Sequence, residues 1–138
     1  MNRKIALGVS SSIGIYKACE VVRGFQKNGV EGQVIMTPNA ARLVSPLLFS
    51  SLAGSRTIVD LFEEPDTRTI RHIELAKEIS LLCVAPATAN VIGKFAGGVA
   101  DDFLSTLYLA TRAAVLIVEV RAATEAILSS HLPQPAPR

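Results

Sequence analysis

The sequence predicts a single α/β domain, a doubly wound, Rossmann-type parallel sheet with helices on both faces. Three observations carry this reading. Short β-branched apolar runs alternate with longer stretches of helical periodicity, the pattern of repeated βαβ units. A chain of 138 residues makes one domain that buries roughly two thirds of the surface it would expose unfolded. Hydrophobic residues make up 49% and charged residues 19%, with a mean hydropathy of +0.37. That composition fits central strands buried on both faces, and equally fits apolar surface reserved for an oligomer. No internal repeat and no linker marks a second domain.

The elements follow in order. Lys4 to Val9 reads as the first strand and Ser10-Ser11-Ser12 as a turn with capping chemistry. Ile13 to Asn28 reads as a helix, because Ala18, Val21, Val22 and Phe25 recur at helical spacing. Gly29 ends it. Gln33 to Met36 is a second strand, followed by Thr37-Pro38-Asn39 and a new helical start. Ser45 to Leu52 reads as helix, Thr57 to Leu61 as a short strand, Glu63 to Thr69 as a polar loop, and Thr69 to Glu78 as helix. Ser80 to Ala85 is the clearest buried strand. It runs into Pro86-Ala87-Thr88-Ala89-Asn90, a short helix, Gly97-Gly98, and a helix from about Asp101 to Arg112. Ala114 to Val118 is a last apolar strand. Glu119 to Ser130 has helical character, and Pro133, Pro135 and Pro137 predict a frayed end.

Composition narrows the function. A net charge of +2 with scattered Lys and Arg, 5% aromatics and no Trp argues against nucleic-acid binding, which needs a concentrated basic face. No apolar run reaches the ~20 residues of a membrane span, and charges interrupt the opening strand where a signal peptide would be apolar. Cys19 and Cys83 fit reduced thiols, so a cytoplasmic protein is expected.

In an open parallel sheet, ligands bind outside the carboxyl ends of the strands, near the switch in strand order. Small and hydroxyl residues cluster at three such ends: Gly8 to Ser12, Thr37 to Ala40, and Pro86 to Asn90. Any one cluster is ordinary turn and capping chemistry. Together they suit a phosphate at a helix N-terminus. The first turn, Gly8-Val9-Ser10-Ser11-Ser12-Ile13-Gly14, lacks the dinucleotide glycine spacing, and the second strand ends at Met36-Thr37 without an acidic residue. A G-x-x-x-x-G-K loop is absent as well. A mononucleotide needs none of these features.

Five segments occur in order: Gly8 to Lys17 (Gly-Val-Ser-Ser-Ser-Ile-Gly-Ile-Tyr-Lys), Met36 to Ala41, Arg71 to Ala76, Ala85 to Asn90, and Gly97 to Asp102. With them the sequence resembles the homo-oligomeric flavin-containing cysteine decarboxylases, a family of flavodoxin-like flavoproteins, and is most similar to its phosphopantothenoylcysteine decarboxylase branch. The resemblance covers most of residues 1 to about 117, and Pro-Ala-Thr-Ala-Asn with Ala-Asp-Asp downstream is its specific signal. It implies FMN as cofactor and an FMN-binding domain over 1–118, with a divergent segment over 119–138. Gly8, Ser10, Ser12 and Ile13 match the first FMN loop, and Thr37 and Ala40 the second. Phe49 matches a position near the flavin ring, and Ala87, Thr88, Ala89 and Asn90 match the segment around the ribityl phosphate and isoalloxazine. No metal is implied. Family members assemble as homotrimers or higher multiples, with FMN between neighbouring subunits.

His72 matches the family's catalytic histidine. A histidine near a helix start is by itself most often a surface or capping residue, yet it can bind a carboxylate or move a proton near neutral pH. Asp101 and Asp102 could line the site, and at least one is expected to cap the following helix. The implied reaction decarboxylates a small cysteine-terminated substrate, such as phosphopantothenoylcysteine in coenzyme A biosynthesis. The family pattern continues from the last strand into Pro-Ala-Met-Asn and a flap bearing a cysteine. Here the strand runs into Val118-Glu119-Val120-Arg121-Ala122 instead. Cys19 and Cys83 read as core residues rather than as that flap cysteine. The alternative is therefore a catalytically impaired FMN-binding homologue that serves as an interaction or regulatory subunit.

Overall fold

Along β1 (Lys4–Val9), Ala6 faces one core while Leu7 and Val9 face another, as the two-residue period of a strand requires. β2 (Glu31–Met36) divides the same way, with Ile35 on the first side and Val34 and Met36 on the second. In β3 (Leu81–Val84), Leu82 and Val84 face the first core and Cys83 the second. Apolar residues on both faces of a strand demand cover on both faces, and the intervening helices supply it. α1 (Ile15–Lys27), α2 (Pro38–Leu43) and α3 (Pro46–Ala53) cover one side through Ile15, Ala18, Val22, Ala40 and Phe49. α4 (Arg71–Glu78), α5 (Ala89–Gly97) and α6 (Phe103–Ala110) cover the other through Leu75, Val91, Phe95, Phe103, Leu104 and Leu107.

The computed structural model describes residues 3–62 and 70–118. Among these, the strands pair in parallel in the order β2-β1-β3-β4, the last being β4 (Ala114–Ile117). This is the flavodoxin-like doubly wound arrangement. The chain leaves β1 for β2 on one side and returns to β3 on the other, so the switch in strand order lies between β1 and β3.

Two sequence expectations are revised. The strand expected over Thr57 to Leu61 is reduced to a single bridge, Ile58 with Ile35. Met36 N–H donates to the Ile58 carbonyl and Ile58 N–H to that of Val34, but pairing stops there. Before it, Thr57 N–H donates to the Ser50 hydroxyl; beyond it, Phe62 N–H donates to the Asp60 carboxylate and turns the chain. The helix expected from Asp101 starts two residues later, because Asp102 is its cap. The expected loop at Glu63 to Thr69, and everything expected beyond residue 118, lie outside the described residues. Among the described residues no helix is long and apolar enough to cross a membrane.

Burial of the central strands accounts for part of the apolar composition. β1 to β3 are buried, while β4 carries an exposed row: Val115, Leu116, Ile117 and the following Val118 are 37–50% exposed.

Phe49 is a direct test of the packing. It is fully buried among Leu7, Val9, Met36 and Ala40 in the core beneath α3. Phe49→Ala is expected to lower the free energy of unfolding by about 3–5 kcal/mol, measured by urea denaturation.

Candidate functional site

Each of the loops leaving β1, β2 and β3 is shaped by local chemistry. After β1, Ser12 N–H donates to the Ser10 carbonyl and Ile15 N–H to that of Ser12, closing the serine turn into α1. Gly14, the N-cap of α1, gives no side-chain cap, and the first turn holds no acidic residue, so no carboxylate offsets the positive end of the helix dipole there. After β2, the Thr37 hydroxyl accepts from Ala40 N–H at 3.1 Å and caps α2. After β3, the Thr88 hydroxyl accepts from Val91 N–H at 3.3 Å and caps α5.

Ser10 ties the first of these loops to the third. Its backbone N–H and its hydroxyl both donate to the Pro86 carbonyl, and the hydroxyl accepts from Thr88 N–H at 3.0 Å. The side chain is 1% exposed, which makes this a buried polar junction with every group partnered.

Around it lies a cavity of about 200 Å³. Ser10 and Ser11 line it from the first loop, Thr37, Pro38 and Asn39 from the second, and Thr88, Asn90 and Val91 from the third. Lys94, Asp101 and Asp102 close the remaining side. Asp102 caps α6, its carboxylate accepting from Ser105 N–H at 2.8 Å while the Ser105 hydroxyl accepts from Asp102 N–H. Lys94 donates to Asp101 Oδ1 at 2.9 Å and lies 3.8 Å from Asp102 Oδ2. The hydrogen bond from Lys94, with its positive charge, holds the Asp101 carboxyl below the usual carboxylate range. Hydroxyls, amides and one cation form a wall suited to a phosphorylated polyol.

The structure thus gathers Ser10, Thr37, Thr88 and Asn90 at one cavity. Other residues matched to the cofactor are placed elsewhere. Gly8 lies within β1, where a Cβ would meet Leu104 Cδ1 at 2.5 Å, so its smallness serves the packing of α6 on the sheet. Ala40 and Phe49 are fully buried, and Ala87 is buried with its N–H donating to the Val118 carbonyl. Ser12 accepts from Gly14 N–H at 3.2 Å, Ile13 is 86% exposed beside it, and Ala89 is exposed at the start of α5.

His72 is half-buried in the first turn of α4, its ring edge-on to Phe103 at 6.3 Å. It does not line the cavity; Phe103, the first residue of α6, separates it from the Asp102 cap. Cys83 is buried and Cys19 partly so, burial raises both thiols, and neither lines the cavity. Among the described residues no group of three His, Cys, Asp or Glu side chains is placed to hold a metal.

Sequence reasoning took in Ser11, Pro38 and Asn39 only as members of their loops, and it missed Val91 and above all Lys94. Lys94 falls four residues after Asn90 on a helix, which puts the two on one face; that spacing was the available signal.

Known proteins are similar to this chain. The Flavoprotein family model matches residues 1–127. The coenzyme A biosynthesis bifunctional protein CoaBC of Bacillus subtilis (strain 168) is 47% identical over 116 residues, 84% of this chain and 29% of that protein. Of solved structures, the FMN-dependent cysteine decarboxylase SpaF superposes with a TM-score of 0.79 at 23% identity, covering 94% of this chain and 81% of that one. The peptidyl-cysteine decarboxylase EpiD does so with a TM-score of 0.70 at 20% identity, covering 94% and 78%. At these identities the two structures establish the shared fold.

The Ser10 junction predicts its own test. Ser10→Ala leaves Thr88 N–H without its acceptor in a buried place, and is expected to cost about 1–3 kcal/mol of stability. Urea unfolding of the variant against the parent protein measures it.

Proposed function

This chain belongs to the Flavoprotein family, and on that premise we propose that it binds FMN and decarboxylates a cysteine-terminated substrate, with phosphopantothenoylcysteine the first candidate. The observation that carries the proposal is the polar cavity at the β1/β3 switch point, walled by Ser10, Thr37, Thr88 and Asn90. The 47% identity to CoaBC supports the choice of substrate, although this chain spans only 29% of that protein's length.

The residues fit the cofactor's polar half. The serine turn and the N-terminus of α1 would receive its phosphate, and Thr37, Asn39 and Asn90 can meet the ribityl hydroxyls. At about 200 Å³ the cavity is smaller than the roughly 300–1,000 Å³ that encloses a whole drug-sized ligand. The flavin ring would therefore project beyond it. Bound FMN supplies a two-electron acceptor for oxidation of the substrate's cysteine side chain. The chain's own part is to hold that acceptor and to orient the substrate carboxylate for loss as carbon dioxide.

His72 is the residue proposed to contact that carboxylate or move a proton beside it. Within one subunit it stands apart from the cavity, so the reading places a neighbouring subunit's ring over it. The exposed apolar strand Val115 to Val118 supports assembly as a homotrimer or higher multiple. Residues 1–118 form the flavin-binding unit in this proposal, and a cytoplasmic setting fits the thiols and the coenzyme A chemistry.

Purified protein is expected to be yellow, or to become so with added FMN, and to release carbon dioxide from phosphopantothenoylcysteine. His72→Asn should keep the flavin spectrum and lose about 10²–10⁴-fold in rate. Colourless protein that takes up no FMN would overturn the cofactor assignment. Flavin-loaded protein that releases no carbon dioxide would overturn the decarboxylase and leave a flavin-binding subunit without turnover.

A further inference from the structure

Asn90 and Lys94 lie four residues apart on α5 and both line the cavity. Lys94 is the one Lys, Arg or His among the described residues of that lining. Its side chain is 22% exposed, so its charge is screened less than one on the open surface. Two carboxylates hold it, and they are not equivalent. Asp102 is committed to α6: its Oδ1 accepts the N–H and the hydroxyl of Ser105 at 2.8 and 2.6 Å, and its side chain is 8% exposed. The positive end of that helix offsets its charge. Asp101 is 57% exposed and is held by Lys94 at 2.9 Å. Water can take over its solvation when the lysine leaves. Lys94 can therefore turn from Asp101 to an anion in the cavity without stranding a buried charge.

We propose that Lys94 is the phosphate-selecting residue of the cavity, exchanging Asp101 for the phosphate monoester of the bound flavin nucleotide. This rests on the FMN reading and deepens it. The side chains of Thr37, Asn39 and Asn90 can meet ribityl oxygens that FMN and riboflavin share. The end of α1 contributes a partial charge of roughly half a unit, whereas Lys94 contributes a whole one. Discrimination between the two flavins by charge falls chiefly to this side chain. Its depressed partner, Asp101, stays ionised throughout the neutral range and keeps the ammonium poised at the wall.

Dissociation constants for FMN and riboflavin, measured by flavin fluorescence with parent protein, Lys94→Met, Lys94→Arg and Asp101→Asn, test the assignment. The parent protein is expected to prefer FMN. Lys94→Met should weaken FMN binding by about tenfold or more while riboflavin binding changes by less than about twofold. Lys94→Arg should keep the preference, and Asp101→Asn should strengthen FMN binding by removing the competitor. Raising the salt from about 0.05 M to about 0.5 M should erode the preference of the parent protein more than that of Lys94→Met. A Lys94→Met protein that loses both flavins equally, with thermal unfolding confirming that it folds, would overturn the proposal in favour of a merely structural ion pair. Unchanged affinity for both would overturn it as well. Parent protein that binds neither flavin would overturn the cofactor reading itself and this assignment with it.

Discussion

One buried serine joins the two loops on either side of the switch in strand order. Ser10 follows β1, Pro86 and Thr88 follow β3, and the hydrogen bonds from Ser10 N–H and hydroxyl to the Pro86 carbonyl, with that from Thr88 N–H to the hydroxyl, leave none of these groups unsatisfied. The register below leads to it: Gly8 stands opposite Val84 and accepts Ala85 N–H at 2.9 Å. Were the β1 and β3 ends to part, three hydrogen bonds joining four polar groups would be lost together. The cavity beside them exists because this junction holds its two walls at a fixed spacing.

The walls are in turn set by what lies beneath. Gly8 allows Leu104 to approach the sheet closely, which draws α6 over the end of β1 and brings Asp102, its cap, to the cavity rim. α5 ends at Gly98, whose φ of 68° places it in the left-handed region that glycine enters at no steric cost. The chain then returns toward Lys94 through Asp101. Thus a packing glycine, a capping aspartate and a left-handed turn together bring one cation to a polar cleft. The same helix start presses Phe103 against His72, so the candidate catalytic group and the polar cavity share a support without His72 lining it.

Much of this was legible in the sequence. Strands such as Lys4–Val9 and Leu81–Val84 announce themselves because both faces are apolar, and the hydroxyl-rich loops stand out because helix starts demand such caps. The loops holding Ser10, Thr37, Thr88 and Asn90 stood out that way, and the resemblance singled out the individual residues. Thr57 to Leu61 misled because a β-branched run states a preference, whereas pairing length is decided by neighbours, here the Ser50 hydroxyl and the Asp60 turn. Gly8 and Phe49 match cofactor positions in the resemblance, and in the fold they also pack tightly, Gly8 against Leu104 and Phe49 in the core beneath α3. Lys94 was overlooked because its partners, Asp101 and Asp102, come from beyond the end of its own helix. The distance of His72 from the cavity likewise depends on where α6 packs.

The central claim is the location of the flavin, and amide chemical-shift mapping on adding FMN tests it most directly. Perturbations should concentrate in Ser10 to Gly14, Thr37 to Ala40 and Thr88 to Lys94, on the carboxyl ends of β1, β2 and β3. Shifts gathered instead at the opposite rim, where Lys4, Gln33, Arg56 and Arg71 line a second cavity, would contradict it.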